Sequence, residues 1–207
     1  MDSKRALERR LSRVRGFDEP RVELEQYPTP ADVAAQLVHL ADLQGDLEGT
    51  VVDLGTGTGM LALGAALRTP ERVVGLDADR GALATAQENE RRVDPSQGPD
   101  WLLGDGGRLP LRLSGATVLM NPPFGAQHGN RGADKRFLEG ALEIADVVYS
   151  IHNAGSREFV ESFVADNGGR VTHAYELALE IDRQFDFHDE ESRTIRAECY
   201  RSSWRGV

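Results

Sequence analysis

Cysteine is nearly missing from this chain: Cys199 is the only one among 207 residues. An internal disulfide is thereby excluded, as is a zinc site built on clustered thiolates. Lysine is almost as scarce, since 22 of the 24 basic residues are arginine and only Lys4 and Lys135 are lysine. No apolar run approaches the roughly 20 residues that cross a bilayer, and the charged N-terminus lacks a secretory core segment. The five histidines, at positions 39, 128, 152, 173 and 188, are scattered and suggest no metal ligand set. At 40% hydrophobic residues the chain can still build a core of its own. The expectation is one metal-free domain over residues 1–207, located in the cytoplasm.

Acidic residues are in excess, with a net charge of −10. An acidic, lysine-poor surface fits a salty cytoplasm; arginine-favouring codon usage is the competing explanation. The excess is uneven. Residues 1–15 carry Lys4, Arg5, Arg9, Arg10, Arg13 and Arg15 against Asp2 and Glu8, a net of +4 that leaves −14 for the remainder. Leu7, Leu11 and Val14 recur at helical spacing after Ser3, so this arm reads as an amphipathic helix. A basic arm on an acidic body suggests a polyanionic partner.

Two prolines, Pro28 and Pro30, then hold the chain extended. Thr29 reads as the cap of a helix reaching about Leu43, with Pro30 at its first position and Asp32 at its third. From residue 51 strands and helices alternate. Strands are expected near 51–54, 72–77, 101–103, 115–120 and 147–151. Helices are expected near 80–92, 134–145 and 156–164, and residues 170–182 and 192–202 form a closing antiparallel pair. This pattern implies an α/β, Rossmann-like fold: a mostly parallel seven-stranded sheet with helices on both faces and a C-terminal hairpin.

The ligands of such sheets sit at the carboxyl ends of the strands, and four of these ends carry chemistry. The first is Asp53-Leu-Gly55-Thr-Gly57-Thr58-Gly59-Met60, a strand, a tight glycine turn and a helix start. Glycines let the backbone turn sharply and let a ligand approach it. The third glycine of the dinucleotide spacing is missing, and a carboxylate before the turn repels a pyrophosphate. A ligand with a sulfonium and an ammonium fits better, which points to S-adenosylmethionine. Asp77 ends the second strand, where it can accept both ribose hydroxyls. Asp105, followed by Gly106, ends the third and can take the adenine amino group.

The fourth end reads Asn121-Pro122-Pro123-Phe124. Consecutive prolines stiffen the loop and remove two backbone donors, leaving carbonyls to face the pocket. The Asn121 side-chain oxygen and the Pro122 carbonyl can accept both hydrogens of a planar exocyclic amine. Phe124 offers a face for an extruded base to stack on. Because the substrate's nitrogen is itself the nucleophile, no catalytic Ser, Cys or metal is required. Catalysis rests on alignment and fixed dipoles.

These motifs together resemble class I S-adenosylmethionine-dependent methyltransferases acting on amino groups. More narrowly, the chain resembles the methyltransferase-like protein 5 family, eukaryotic and archaeal small-subunit rRNA N6-adenine methyltransferases. The resemblance runs over nearly the whole length, through Gly16-Phe17, Leu24-Glu25-Gln26-Tyr27-Pro28-Thr29, Met120 to Gly125, Val148-Tyr149-Ser150-Ile151-His152 and Ser156-Arg157-Glu158. It implies cofactor contacts from Gln26, Thr29, Gly55, Thr58, Met60, Asp77, Asp105 and Gly106, with residues 1–30 forming a basic helix and a cofactor-covering segment. It also implies an RNA substrate and a small zinc-binding activator subunit paired to a sheet edge. The sequence departs from the eukaryotic pattern after Phe187-His188, where Asp189, Glu190 and Glu191 replace a lysine cluster. RNA docking then falls to the arm and to Arg131, Lys135 and Arg136. Asn-Pro-Pro-Phe alone does not separate adenine in RNA from adenine in DNA or a protein glutamine; the arm and the Gln-Tyr-Pro-Thr stretch favour RNA. Outside the enzymes, the alternative is a non-catalytic RNA-binding subunit, against which the intact acids and Asn121 argue.

Overall fold

A computed structural model describes residues 3–123, 132–182 and 192–205. Phe124, Arg131 and the stretch from Phe187 to Glu191 lie outside the described residues.

Ser3 opens α1 (Lys4–Leu11), its hydroxyl accepting the Ala6 N–H at 3.3 Å, and the helix buries Leu7 and Leu11. A short 3-10 turn, Val22–Leu24, precedes α2 (Ala31–Leu43). Here the expected cap shifts by one residue: Pro30, which has no capping side chain, sits at the N-cap position and Ala31 begins the helix. The Thr29 hydroxyl is engaged by Asn121 instead. Strand β1 (Thr50–Leu54), α3 (Met60–Ala66), β2 (Arg72–Asp77), α4 (Arg80–Val93), β3 (Asp100–Leu103) and β4 (Ala116–Met120) follow. Then come α5 (Ala133–Leu142), β5 (Ala145–Asn153), α6 (Arg157–Asp166), β6 (Arg170–Asp182) and β7 (Ser192–Ser203).

The seven strands form one sheet in the order β3-β2-β1-β4-β5-β7-β6. The first five run parallel, and β7 enters antiparallel between β5 and β6. The continuous β-branched runs of β1 and β4 follow from burial on both faces. On one face Leu7, Leu11, Leu37, Val38, Leu61 and Leu63 pack over Val51, Leu119 and Tyr149. On the other Leu138, Ala141, Val160 and Val164 pack over Val52, Val118 and Val148. Cys199 lies buried in β7, paired to Ile151 on one side and Tyr175 on the other.

Asp46, just after α2, is a buried anchor. Its carboxylate accepts the Tyr149 hydroxyl at 2.8 Å and grips the Arg201 guanidinium with two hydrogen bonds of 2.7 and 3.0 Å. This ties the turn before β1 to β5 and β7. Among the described residues no helix is long and apolar enough to cross a membrane.

Candidate active site

Parallel strands β1, β2, β3 and β4 end on the same edge, so the loops that follow them converge there. Gly55, Gly57 and Gly59 all adopt left-handed backbone, at φ of 71°, 54° and 91°. Side chains with a Cβ disfavour that conformation. The turn is tied down by Asp53, which is 1% exposed and accepts the Thr56 hydroxyl at 2.6 Å and the Ala62 N–H at 2.9 Å. Burial pushes the Asp53 carboxyl up to about 7, against the opposing effect of those two hydrogen bonds.

Asp77 accepts the Gly57 N–H at 2.8 Å on one oxygen and the Asp79 N–H at 2.8 Å on the other. Burial raises its pKa, the two N–H groups opposing. Each oxygen keeps a lone pair for a further donor. Asp105 accepts the Gly107 N–H at 2.8 Å, which curls the loop after β3 so that Gly106 meets the cleft.

A cleft of about 270 Å³ lies over these ends, lined by Gln26, Gly55, Gly57, Asp77, Asp105, Gly106, Asn121 and Pro123. A recess of about 40 Å³ adjoins it, with Thr29, Asp53, Gly55, Gly57, Thr58, Met60 and Asn121 in its wall. Apart from Gly59, the residues that point to a cofactor in the sequence are thus assembled at one place. Gly59 lines neither space: it starts α3, with Trp101 only 2.8 Å from where a Cβ would stand. Pro122 is buried and likewise lines neither.

Gln26 borders the cleft, but its amide does local work. It accepts the Arg21 N–H at 2.9 Å and donates to Asp79 at 2.8 Å, strapping the N-terminal segment onto the cap of α4.

Three aromatic rings join the site, and only Phe137 lies outside the motifs of the sequence. Phe17 lies on Gly57, 2.9 Å from a notional Cβ, and lines both spaces with Tyr27. Phe137, on α5, touches the turns at both Gly55 and Gly106, 2.9 and 2.7 Å from their notional Cβ positions. Gly16-Phe17 belongs to the recognisable pattern, so that signal was there. Phe137 carries none, because its place depends on how α5 returns to the sheet.

The most telling atom is Asn121 Oδ1. The Asn121 amide nitrogen donates to the Thr29 hydroxyl at 3.0 Å, which fixes the side chain. Its oxygen is buried without a hydrogen-bond partner. Buried acceptors are almost always satisfied, so a fixed, unmatched oxygen beside a polar cleft marks a place for a donor on a ligand. Left-handed glycines that admit close approach, acids at two strand ends and this oxygen fit a cationic nucleoside cofactor beside an amine substrate.

Residues 29–146 match the methyltransferase small domain family. The rRNA N(6)-adenosine-methyltransferase Mettl5 of Drosophila melanogaster is 38% identical over 95% of this chain and 94% of its own length. METTL5 of Danio rerio, which carries the same enzyme name, is 32% identical over 94% and 96%. A crystal structure from Pyrococcus horikoshii superposes with a TM-score of 0.86 at 40% identity, covering 98% of both chains. On the strength of its sheet, its glycine turn and these relatives, the chain belongs to the methyltransferase small domain family and, within it, to the METTL5 family of S-adenosylmethionine-dependent methyltransferases.

Proposed function

We propose that this enzyme methylates the N6 amino group of an adenine in small-subunit rRNA. The observation that carries this reading is the buried, unmatched Oδ1 of Asn121, held by Thr29 beside the cleft. The substrate class rests on the relatives in Drosophila and zebrafish, both named rRNA N(6)-adenosine methyltransferases.

S-adenosylmethionine supplies an electrophilic methyl group on a sulfonium. The chain's part is binding and alignment. Asp77 accepts from the ribose and Asp105 from the adenine amino group, while the Gly55–Gly57 turn admits the amino-acid end. Asn121 Oδ1 would accept a hydrogen of the target amine. That hydrogen bond would leave electron density on the nitrogen as it attacks the methyl carbon, the carbon–sulfur electron pair would stay with sulfur, and the nitrogen would then shed its extra proton to solvent. Phe124 stacks the extruded base. Fixed dipoles of this kind need no reorganisation during the reaction.

The chain acts as one unit, with residues 1–30 supplying a basic helix and then, from Phe17 on, the segment that covers the cofactor. Support comes from Phe17 on Gly57 and from the Gln26–Asp79 strap. For an activator subunit paired by strand addition, β3 offers an edge, with Leu103 at 44% exposure.

Asn121→Ala tests the assignment. Methyl transfer to small-subunit rRNA should vanish while S-adenosylmethionine affinity, read by calorimetry, stays within a fewfold of wild type. Turnover that persists in the variant removes Asn121 from the chemistry. Transfer to DNA or to a protein glutamine but not to rRNA replaces the substrate class.

A further inference from the structure

The basic arm has no part in the site above, and the structure divides its five arginines into two sets. Arg10 donates to the carbonyls of Val93 and Asp94 at 2.7 and 2.8 Å, capping the end of α4. Arg15 pairs with Asp18 at 3.1 Å and Glu88 at 2.8 Å. These two arginines hold the arm to the body. Arg5, Arg9 and Arg13 are exposed, and among the described residues none of them meets a carboxylate.

Their spacing has a geometric consequence. At about 100° per residue, positions 5, 9 and 13 centre on the side of the helix opposite Leu7 and Leu11, which are 2% and 0% exposed. The buried leucines therefore fix which way the three guanidinium groups face. Arg9 and Arg5 are about 6 Å apart along the axis, and Arg13 continues the row in the turn after the helix, where its N–H bonds the Arg10 carbonyl. The anchor at Val93 and Asp94 also brings the arm to the last turn of α4, where Arg91 and Arg92 are exposed.

We propose that this face of α1, with Arg91 and Arg92 beside it, docks the phosphate backbone of the RNA substrate away from the target base. The inference rests on the rRNA reading above and adds where the RNA is held. Charge complementarity selects the occupant: the rest of the chain carries −14 and repels a polyanion, whereas this row offers exposed guanidinium groups that pair with no carboxylate among the described residues and suit phosphate. Topology makes the docking remote. α4 leaves the carboxyl edge of the sheet after Asp77 and ends at Val93 on the opposite edge, so Arg10, held at Val93 and Asp94, lies away from the cleft, and Arg13 stands nearer to it, four residues before Phe17. A contact there governs RNA affinity and leaves the methyl transfer step alone.

The test compares the wild-type protein with Arg5→Gln/Arg9→Gln/Arg13→Gln, which keeps good helix formers at all three positions. Binding to small-subunit rRNA transcribed in vitro is measured from 50 to 200 mM KCl, and methyl transfer to the same RNA is followed. Each lost phosphate contact lowers the slope of log affinity against log salt by about 0.7–0.9. The variant should lose about two units of slope and at least tenfold in affinity. Its KM for RNA should rise with kcat unchanged, and its melting temperature should match wild type. Equal affinity and slope in a wild type and variant that both methylate the RNA overturn the docking surface alone. A wild type that binds no RNA overturns both readings. Unchanged RNA affinity, with loss of binding to phosphatidylserine vesicles that the wild type does bind, assigns the face to a lipid surface and overturns the proposal too.

Discussion

Thr29 and Asn121, 92 residues apart, are joined by a 3.0 Å hydrogen bond in which the asparagine amide donates and the threonine hydroxyl accepts. Thr29 therefore decides which end of the Asn121 side chain is left without a partner. In Thr29→Val the donor loses its partner and the amide can turn. A net hydrogen bond of about 0.5–1.5 kcal/mol corresponds to roughly a 2- to 10-fold loss of kcat. Single-turnover methyl transfer should show that loss, with cofactor affinity by calorimetry little altered. An unchanged rate would mean that Asn121 is oriented by something else.

Asp77→Asn keeps an oxygen acceptor for only one of the two backbone N–H groups, Gly57 or Asp79, which sit on different oxygens, and removes the charge proposed to meet a ribose. Hydrogen bonds to charged groups contribute about 1.5–3 kcal/mol, so S-adenosylmethionine affinity should fall tenfold or more. Calorimetry that finds equal affinity would take Asp77 out of the cofactor site.

Asp53 and His152 give stability opposite pH dependences. In the folded protein burial moves the Asp53 carboxyl up to about 7, against about 3.9 in an unfolded chain. Between these values the folded state holds a proton that the unfolded state has released, so stability falls as pH rises from about 4 to 7. Burial moves the His152 imidazole down to about 4, with Asp134 and Glu198 opposing. Its contribution falls as pH drops from about 6.5 to 4. In urea unfolding between pH 4.5 and 7.5, Asp53→Asn should gain steadily on wild type as pH rises. A pH-independent difference would show that the Asp53 carboxyl titrates normally.

Asp46→Ala leaves the Arg201 guanidinium, 12% exposed, without its bidentate partner, and leaves the Tyr149 hydroxyl unmatched. Removing one member of a buried pair costs about 3–5 kcal/mol. For a chain of this size each kcal/mol lowers Tm by about 2–4 °C. Thermal unfolding should reveal a loss on that scale, and a shift under about 3 °C would contradict the burial of this pair.

Gly140, on α5, faces the Gly106 carbonyl so closely that a Cβ would collide with backbone. Gly140→Ala should therefore push α5 off the loop after β3. Tm should fall and cofactor affinity should weaken together, because Phe137 rides on the same helix. A variant with native affinity would show that α5 does not shape the cleft.

The fold was largely legible because burial on both faces leaves local marks. Val51-Val52 before the glycine turn and Val73-Val74 before Asp77 fix β1 and β2. The expected helix near 156–164 appears as α6 at Arg157–Asp166. The strand near 147–151 proved longer, Ala145–Asn153, since its ends pair with β7 far along the chain. Contacts across distance were hidden for the same reason. Thr29 reads locally as a cap, and only the return of β4 beside the N-terminal segment turns its hydroxyl toward Asn121. Likewise the arm reads as uniformly basic, yet Arg10 and Arg15 are drawn inward by α4, whose end no local pattern places beside α1.

Cys199 stands in β7 between β5 and β6 at 1% exposure, its thiol pushed up to about 12 by burial. Only thiolate reacts with alkylating reagents at a useful rate, so maleimide cannot label the native chain until β7 leaves its neighbours. The single thiol thus serves as an intrinsic clock for the opening of the C-terminal hairpin. Its labelling half-life, with and without cofactor, reports whether an occupied cleft slows unfolding on the far side of the sheet.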